Sequence, residues 1–82
     1  MIHNLKIYPE YFEAIVAEKK SFEVREDDRG FGENDILILE EFDPDNSVYT
    51  GRSLEAIVTY ISWINISDIT RFAIMSIKVT SL

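Results

Sequence analysis

The chain of 82 residues contains no cysteine, so neither a disulfide framework nor a Cys-based zinc site is available to it. Its three glycines are scattered, which excludes a phosphate-cradling loop and a dinucleotide fingerprint. The single histidine, His3, would have to serve any Ser-His-Asp arrangement, and nothing beside it marks a nucleophile, so it is expected to be structural. No apolar run approaches the roughly 20 residues of a membrane span, and no basic-then-apolar leader opens the sequence. Basic residues are scarce as well. Eight Lys and Arg against fifteen Asp and Glu give a net charge of −7, which excludes coating of nucleic acid through bulk electrostatics. Asp43, Asp45 and Ser47 imitate the start of a calcium loop, but Val48 stands where the sharp-turn Gly belongs and Leu54 replaces the closing Glu. The expectation is a protein without metal or cofactor, off the membrane, in a reducing, cytoplasmic compartment.

What is present is apolar: 46% hydrophobic residues, among them one Trp, four Tyr and five Phe, enough for one core in one domain over residues 1–82. The acidic excess is local. Glu33, Asp35, Glu40, Glu41, Asp43 and Asp45 fall within residues 33–50, where there is no Lys or Arg. Lys19, Lys20, Arg25 and Arg29, by contrast, gather within a short stretch.

His3, Leu5 and Ile7 alternate with Asn4 and Lys6, which predicts a short strand. Pro9 suits the first turn of a helix, and Phe12, Ile15 and Val16 give it an apolar stripe over roughly eleven residues. Ser21 to Arg25 alternates again, with Phe22 and Val24 on one side and Ser21, Glu23 and Arg25 on the other. Residues 26–35 read as a loop, Ile36 to Leu39 as a strand buried on both faces, and Asp43 to Asn46 as a turn. Val48 to Tyr60 reads as a hairpin around Gly51, with Leu54, Ala56, Val58 and Tyr60 sharing a face, and Phe72 to Val79 as a last strand. The order predicts an α+β domain in which a mainly antiparallel sheet curls into a small β-barrel with one helix packed against it.

The segment Lys19 to Arg29 is the candidate functional centre. Ser21, Glu23 and Arg25 form a row with about 7 Å between alternate Cα atoms. A carboxylate beside a guanidinium presents an acceptor and a fork of donors to a planar polar ligand such as a base edge; a solvated strand face with a weak ion pair is the plainer alternative. Asp28 is placed to cap the loop or orient Arg25, and Arg29 to reach over the barrel mouth. Phe31 is expected as a loop anchor. Trp63 and Tyr49 are candidates for base stacking, with packing as the alternative.

In order along the chain, His3-Asn4-Leu5-Lys6-Ile7, Phe12, Lys20-Ser21-Phe22-Glu23-Val24-Arg25, Asp28-Arg29, Asp35, Glu40-Glu41-Phe42 and Tyr49-Thr50-Gly51-Arg52 resemble the small DUF3850-type proteins of the ASCH superfamily, related to PUA domains. The resemblance covers nearly the whole chain. It implies a PUA-like β-barrel with a cleft beside the first helix and a role in binding RNA or a nucleotide-like ligand. Some ASCH proteins resemble transcription coactivator modules, and others are small amidohydrolases that deacylate a modified cytidine. Glu18 replaces the Gly usual after the helix, so the helix is expected to end differently; Asn34 replaces the Gly before Asp35, a mild change. The amidohydrolase-like members pair the lysine matching Lys20 with a threonine where this chain has Glu23. Lys20 is retained, but the hydroxyl is lost or shifted to Ser21.

Three functional expectations follow. The first is an RNA- or nucleotide-binding module using Lys6, Lys20, Glu23, Arg25, Asp28 and Arg29, with Glu23 accepting from an exocyclic amine and binding only modestly salt-dependent. The second is an amidohydrolase acting on an N4-acetylcytidine-like nucleoside, with Lys20 as base and Glu23 as proton carrier. The third is a protein-interaction domain whose acidic face, residues 33–50, docks a basic partner.

Overall fold

A computed structural model describes residues 1–82. The elements run β1 (Ile2–Ile7), α1 (Pro9–Val16), β2 (Phe22–Glu26), β3 (Ile36–Asp43), β4 (Val48–Asn65) and β5 (Arg71–Ser81). One five-stranded sheet contains all the strands in the order β1-β3-β4-β5-β2. β1 pairs with β3 in parallel, and the other three pairings are antiparallel. The sheet curls into a half-barrel. It does not close, because β1 and β2 are its two edges and do not pair with each other. No helix is long and apolar enough to cross a membrane.

The core is the concave side of this curl. Leu37, Leu39, Ala56, Val58, Ala73 and Met75 are fully buried there, and Phe12 and Ile15 of α1 close one end. β1 follows its alternation, burying His3, Leu5 and Ile7 and exposing Ile2, Asn4 and Lys6. β3 is buried on one face only, since Ile36 and Ile38 remain half-buried on the convex side, and it runs on to Asp43.

Helix α1 begins at Pro9, with the Tyr8 carbonyl accepting from the amides of Tyr11 and Phe12. It spans eight residues, shorter than its apolar stripe suggests, because the chain leaves it in a left-handed turn. The Glu18 amide donates to Ile15 O and the Lys19 amide to Ala14 O, the paired bonds of a Schellman motif. Glu18 occupies the left-handed position itself, at φ 61°. The expected change in the helix ending is thus not seen: the glycine geometry is kept without the glycine. Asn34 does the same at φ 71°.

Val48 to Tyr60 is not a hairpin. β4 is one strand of 18 residues, and the reversal before it is the turn at residues 44–47, where Asp43 Oδ1 accepts from the amides of Asp45 (2.9 Å) and Asn46 (3.4 Å). Gly51, at φ 91°, kinks the strand opposite an irregularity between Glu40 and Phe42 of β3. A second irregularity, between Val58 and Tyr60, adds one residue and reverses the alternation. Leu54, Ala56 and Val58 therefore share the core face as expected, but Tyr60 is 60% exposed and Ile61 takes its place inside.

Candidate functional site

The two unpaired edges of the half-barrel approach each other beside the start of α1, and the seam between them holds a pocket of about 550 Å³. Its lining is Lys6, Ile7 and Tyr8 from the end of β1, Tyr11 from α1, and Lys20, Phe22, Glu23, Val24 and Arg25 from β2 and its approach. The expected cleft beside the first helix is therefore present as a geometric feature.

Strand β2 carries the polar floor. Its alternation is as read, but its orientation is the reverse of a strand with a buried apolar face. Phe22 and Val24 point outward, 45% and 46% exposed, whereas Glu23 is buried. The reason is partnership. Glu23 Oε1 accepts from Lys20 Nζ at 2.9 Å and Oε2 from Arg25 Nε at 2.6 Å, so the carboxylate enters the concave side with both oxygens compensated. Lys20 Nζ also donates to Phe22 O at 2.7 Å, and Arg25 Nη2 donates to Lys6 O on the opposite edge. This chain of contacts, from Phe22 O through Lys20, Glu23 and Arg25 to Lys6 O, spans the seam where two strands would otherwise pair.

The remaining expected residues lie elsewhere or act differently. Lys6 gives its carbonyl oxygen to Arg25, while its ammonium sits 4.0 Å from the centroid of the Phe42 ring. Asp28 pairs with Arg29 (3.3 Å), not with Arg25, and neither lines the pocket. The capping role belongs to Asp27. Its Oδ1 accepts from the amides of Gly30 (2.9 Å) and Phe31 (3.2 Å), and its Oδ2 from Trp63 Nε1 (3.2 Å) and Arg71 Nη2 (2.6 Å). Trp63, 5.0 Å from Arg71, and Tyr49, edge-on to Phe42 at 5.1 Å, both lie exposed and outside the pocket. Ser21 lines a second groove, formed with the end of β5, and does not line this one. Sequence reasoning missed the aromatic walls, Tyr8 and Tyr11. Their signal was a spacing of three residues across the start of a helix that follows an edge strand.

Three carboxylates away from the pocket hold the frame. His3 Nε2 donates to Asp35 Oδ2 at 2.8 Å, with its ring 4.7 Å from that of Phe31, so His3 ties β1 to Asp35 and Phe31 is anchored against it. Burial pushes the Asp35 carboxyl up, but hydrogen bonds from His3, the Gly32 amide and the terminal ammonium outweigh it and hold it below its ordinary range. For Asp27 too, burial raises the carboxyl and the bonds from Arg71, Phe31, Gly30 and Trp63 bring it below the ordinary range. Glu41 is lowered by Arg52 first and by Thr50 second, against the opposing effect of burial. Arg52 in turn also bonds Glu13, tying β4 to α1, and its own proton is held more tightly than usual. Asp35 and Glu41 are therefore buried pairs and not part of an acidic surface, which reduces the face over residues 33–50 to Glu33, Glu40, Asp43 and Asp45.

A family described as "Domain of unknown function (DUF3850)" matches residues 2–77. The "Uncharacterized 12.9 kDa protein in GpA 3'region" of Escherichia phage P2 is 38% identical over 61 residues, covering 74% of this chain and 54% of the phage protein. The chain thus matches about half the length of that relative.

Proposed function

Since the chain belongs to the DUF3850 family, we propose that it binds a nucleotide-like ligand, free or within RNA, in the pocket between its two sheet edges. The observation that carries this reading is the pairing of flat aromatic walls with a charged, pre-positioned floor. Tyr8, Tyr11 and Phe22 offer rings to a base, while the Lys20–Glu23–Arg25 chain fixes hydrogen-bonding groups between them. The pocket's 550 Å³ falls within the range of small-molecule sites. The resemblance to ASCH proteins, and through them to PUA-like domains, carries the same expectation.

Arg25→Ala and Lys20→Ala each remove a charged hydrogen-bond donor, and such bonds contribute about 1.5–3 kcal/mol. Affinity for nucleoside monophosphates and short single-stranded RNAs, read by fluorescence anisotropy or calorimetry, should fall by about tenfold or more in either variant. Unchanged binding across the panel would sink the reading. The 2.9 Å contact between Lys20 and Glu23 also favours a second reading, hydrolysis of an acylated nucleoside with that pair moving the proton. Incubation with N4-acetylcytidine tests it. Release of cytidine that Lys20→Ala abolishes would support it, and no product would remove it.

A further inference from the structure

The floor of the pocket is unevenly supplied with hydrogen-bonding groups. Each oxygen of Glu23 accepts from a cation and keeps one further lone-pair site, but the side chain is only 6% exposed, so burial keeps that remaining capacity from a ligand. The two cations are not used up. A guanidinium carries five N–H groups and an ammonium three. Arg25 directs one N–H to Glu23 and one to Lys6 O, which leaves Nη1 without a partner. Lys20 directs one to Phe22 O and one to Glu23, which leaves one without a hydrogen-bond acceptor on an ammonium 4.7 Å from the Phe22 ring centroid and 5.6 Å from that of Tyr11. No side-chain nitrogen or oxygen in the protein is both buried and unpartnered, so Arg25 Nη1 is open to solvent, and Arg25 lines the pocket. Two cations against one carboxylate also leave this floor positive within a chain of net charge −7. The phenols of Tyr8 and Tyr11 donate or accept equally well and do not alter the balance.

We infer that the pocket selects a flat ligand whose in-plane edge only accepts hydrogen bonds, and that Glu23 is a positioning residue that aims Arg25 and Lys20 and does not itself contact the ligand. Among nucleobases, guanine presents such an edge through O6 and N7, whereas adenine pairs its N7 acceptor with a donating amine. A ring carboxylate carries the same chemistry outside the nucleotides. The inference rests on the pocket's being a ligand site, and it reverses the expectation that Glu23 accepts from an exocyclic amine.

The test is a titration of the isotope-labelled 82-residue chain with GMP, AMP, benzoate and benzamidine. It follows the amides of Tyr8, Tyr11 and residues 22–25, together with Arg25 Nε–H. GMP should bind about tenfold or more tighter than AMP, the discrimination expected of a two-acceptor edge on a guanidinium. Benzoate should outcompete benzamidine, although the overall charge of the chain favours benzamidine. Arg25→Lys keeps the charge and loses the fork, so the GMP-to-AMP ratio should drop toward one; if that variant unfolds, the native chain's ratio decides alone. AMP matching GMP, or benzamidine matching benzoate, overturns the acceptor-edge inference and leaves a nucleotide site standing. A benzoate response without either nucleotide upholds the inference and sinks the nucleotide reading.

Discussion

Glu23 carries the pocket at the level of single residues, because a buried carboxylate gripped by two cations fixes where both cations point. Removing it as Glu23→Ala leaves Lys20 and Arg25 facing each other across the space it filled. The variant should lose about 1–3 kcal/mol of stability in urea unfolding, the cost of unpairing partly buried charged groups, and should lose ligand response with it. A variant as stable and as responsive as the native chain would mean that the contact is incidental. The row Ser21, Glu23, Arg25 was legible from alternation alone. Its inward direction was not, because hydrophobicity assigns Phe22 and Val24 to the core. Only the arrival of Lys20 from the helix exit and of Lys6 O from another strand makes the reverse orientation favourable. Asp27 and Asp28 are adjacent acids that no local pattern distinguishes, yet tertiary contacts with Trp63 and Arg71 give the anchoring role to the first.

At the scale of elements, the exit from α1 is where sequence and geometry conflict. The Schellman turn sets the path from Ala17 to Lys20, and so delivers Lys20 to the pocket, but it places Glu18 at φ 61°. Left-handed geometry costs an ordinary residue about 1–2 kcal/mol, of which glycine's greater unfolded-state entropy offsets part. Glu18→Gly should therefore stabilise the chain by about 0.5–1 kcal/mol, raising the thermal midpoint by several degrees, about 4–8 °C per kcal/mol for a domain of this size. A lowered midpoint would show that the turn is held by something other than its backbone bonds. Most elements could be read from the sequence: β1, the start of α1, β2, the Asp43 turn and β5 follow from period and punctuation. β4 could not. Gly51 resembles a hairpin signal, and only the register against β3 shows that it bends one long strand instead. The added residue between Val58 and Tyr60 leaves no mark in a single sequence, so alternation alone puts Tyr60 on the wrong face.

The whole molecule is a half-barrel whose open seam is bridged by side chains where strands would pair, and whose frame is tied by buried carboxylates. The curl is legible in the order of the strands, but its failure to close is not, because closure depends on how two distant edges meet. Asp27, Asp35 and Glu41 are held below their ordinary values in the folded chain. The unfolded chain, with Asp near 3.8 and Glu near 4.5, takes up protons first as pH falls. The stabilisation is therefore complete above that range and is lost progressively as pH drops through it toward the lower folded values. Thermal midpoints should be flat from about pH 7 to 5 and fall steeply below about pH 4.5; a midpoint that holds at about pH 3 would contradict the role given to these carboxylates.

The seam pocket as the binding site is the claim on which the rest depends, and a crystal of the 82-residue chain soaked with nucleoside monophosphates tests it most directly. The account predicts a base between Tyr8, Tyr11 and Phe22, with its edge on Arg25 and Lys20. Density elsewhere on the molecule, with the seam left empty by every nucleotide, would contradict it.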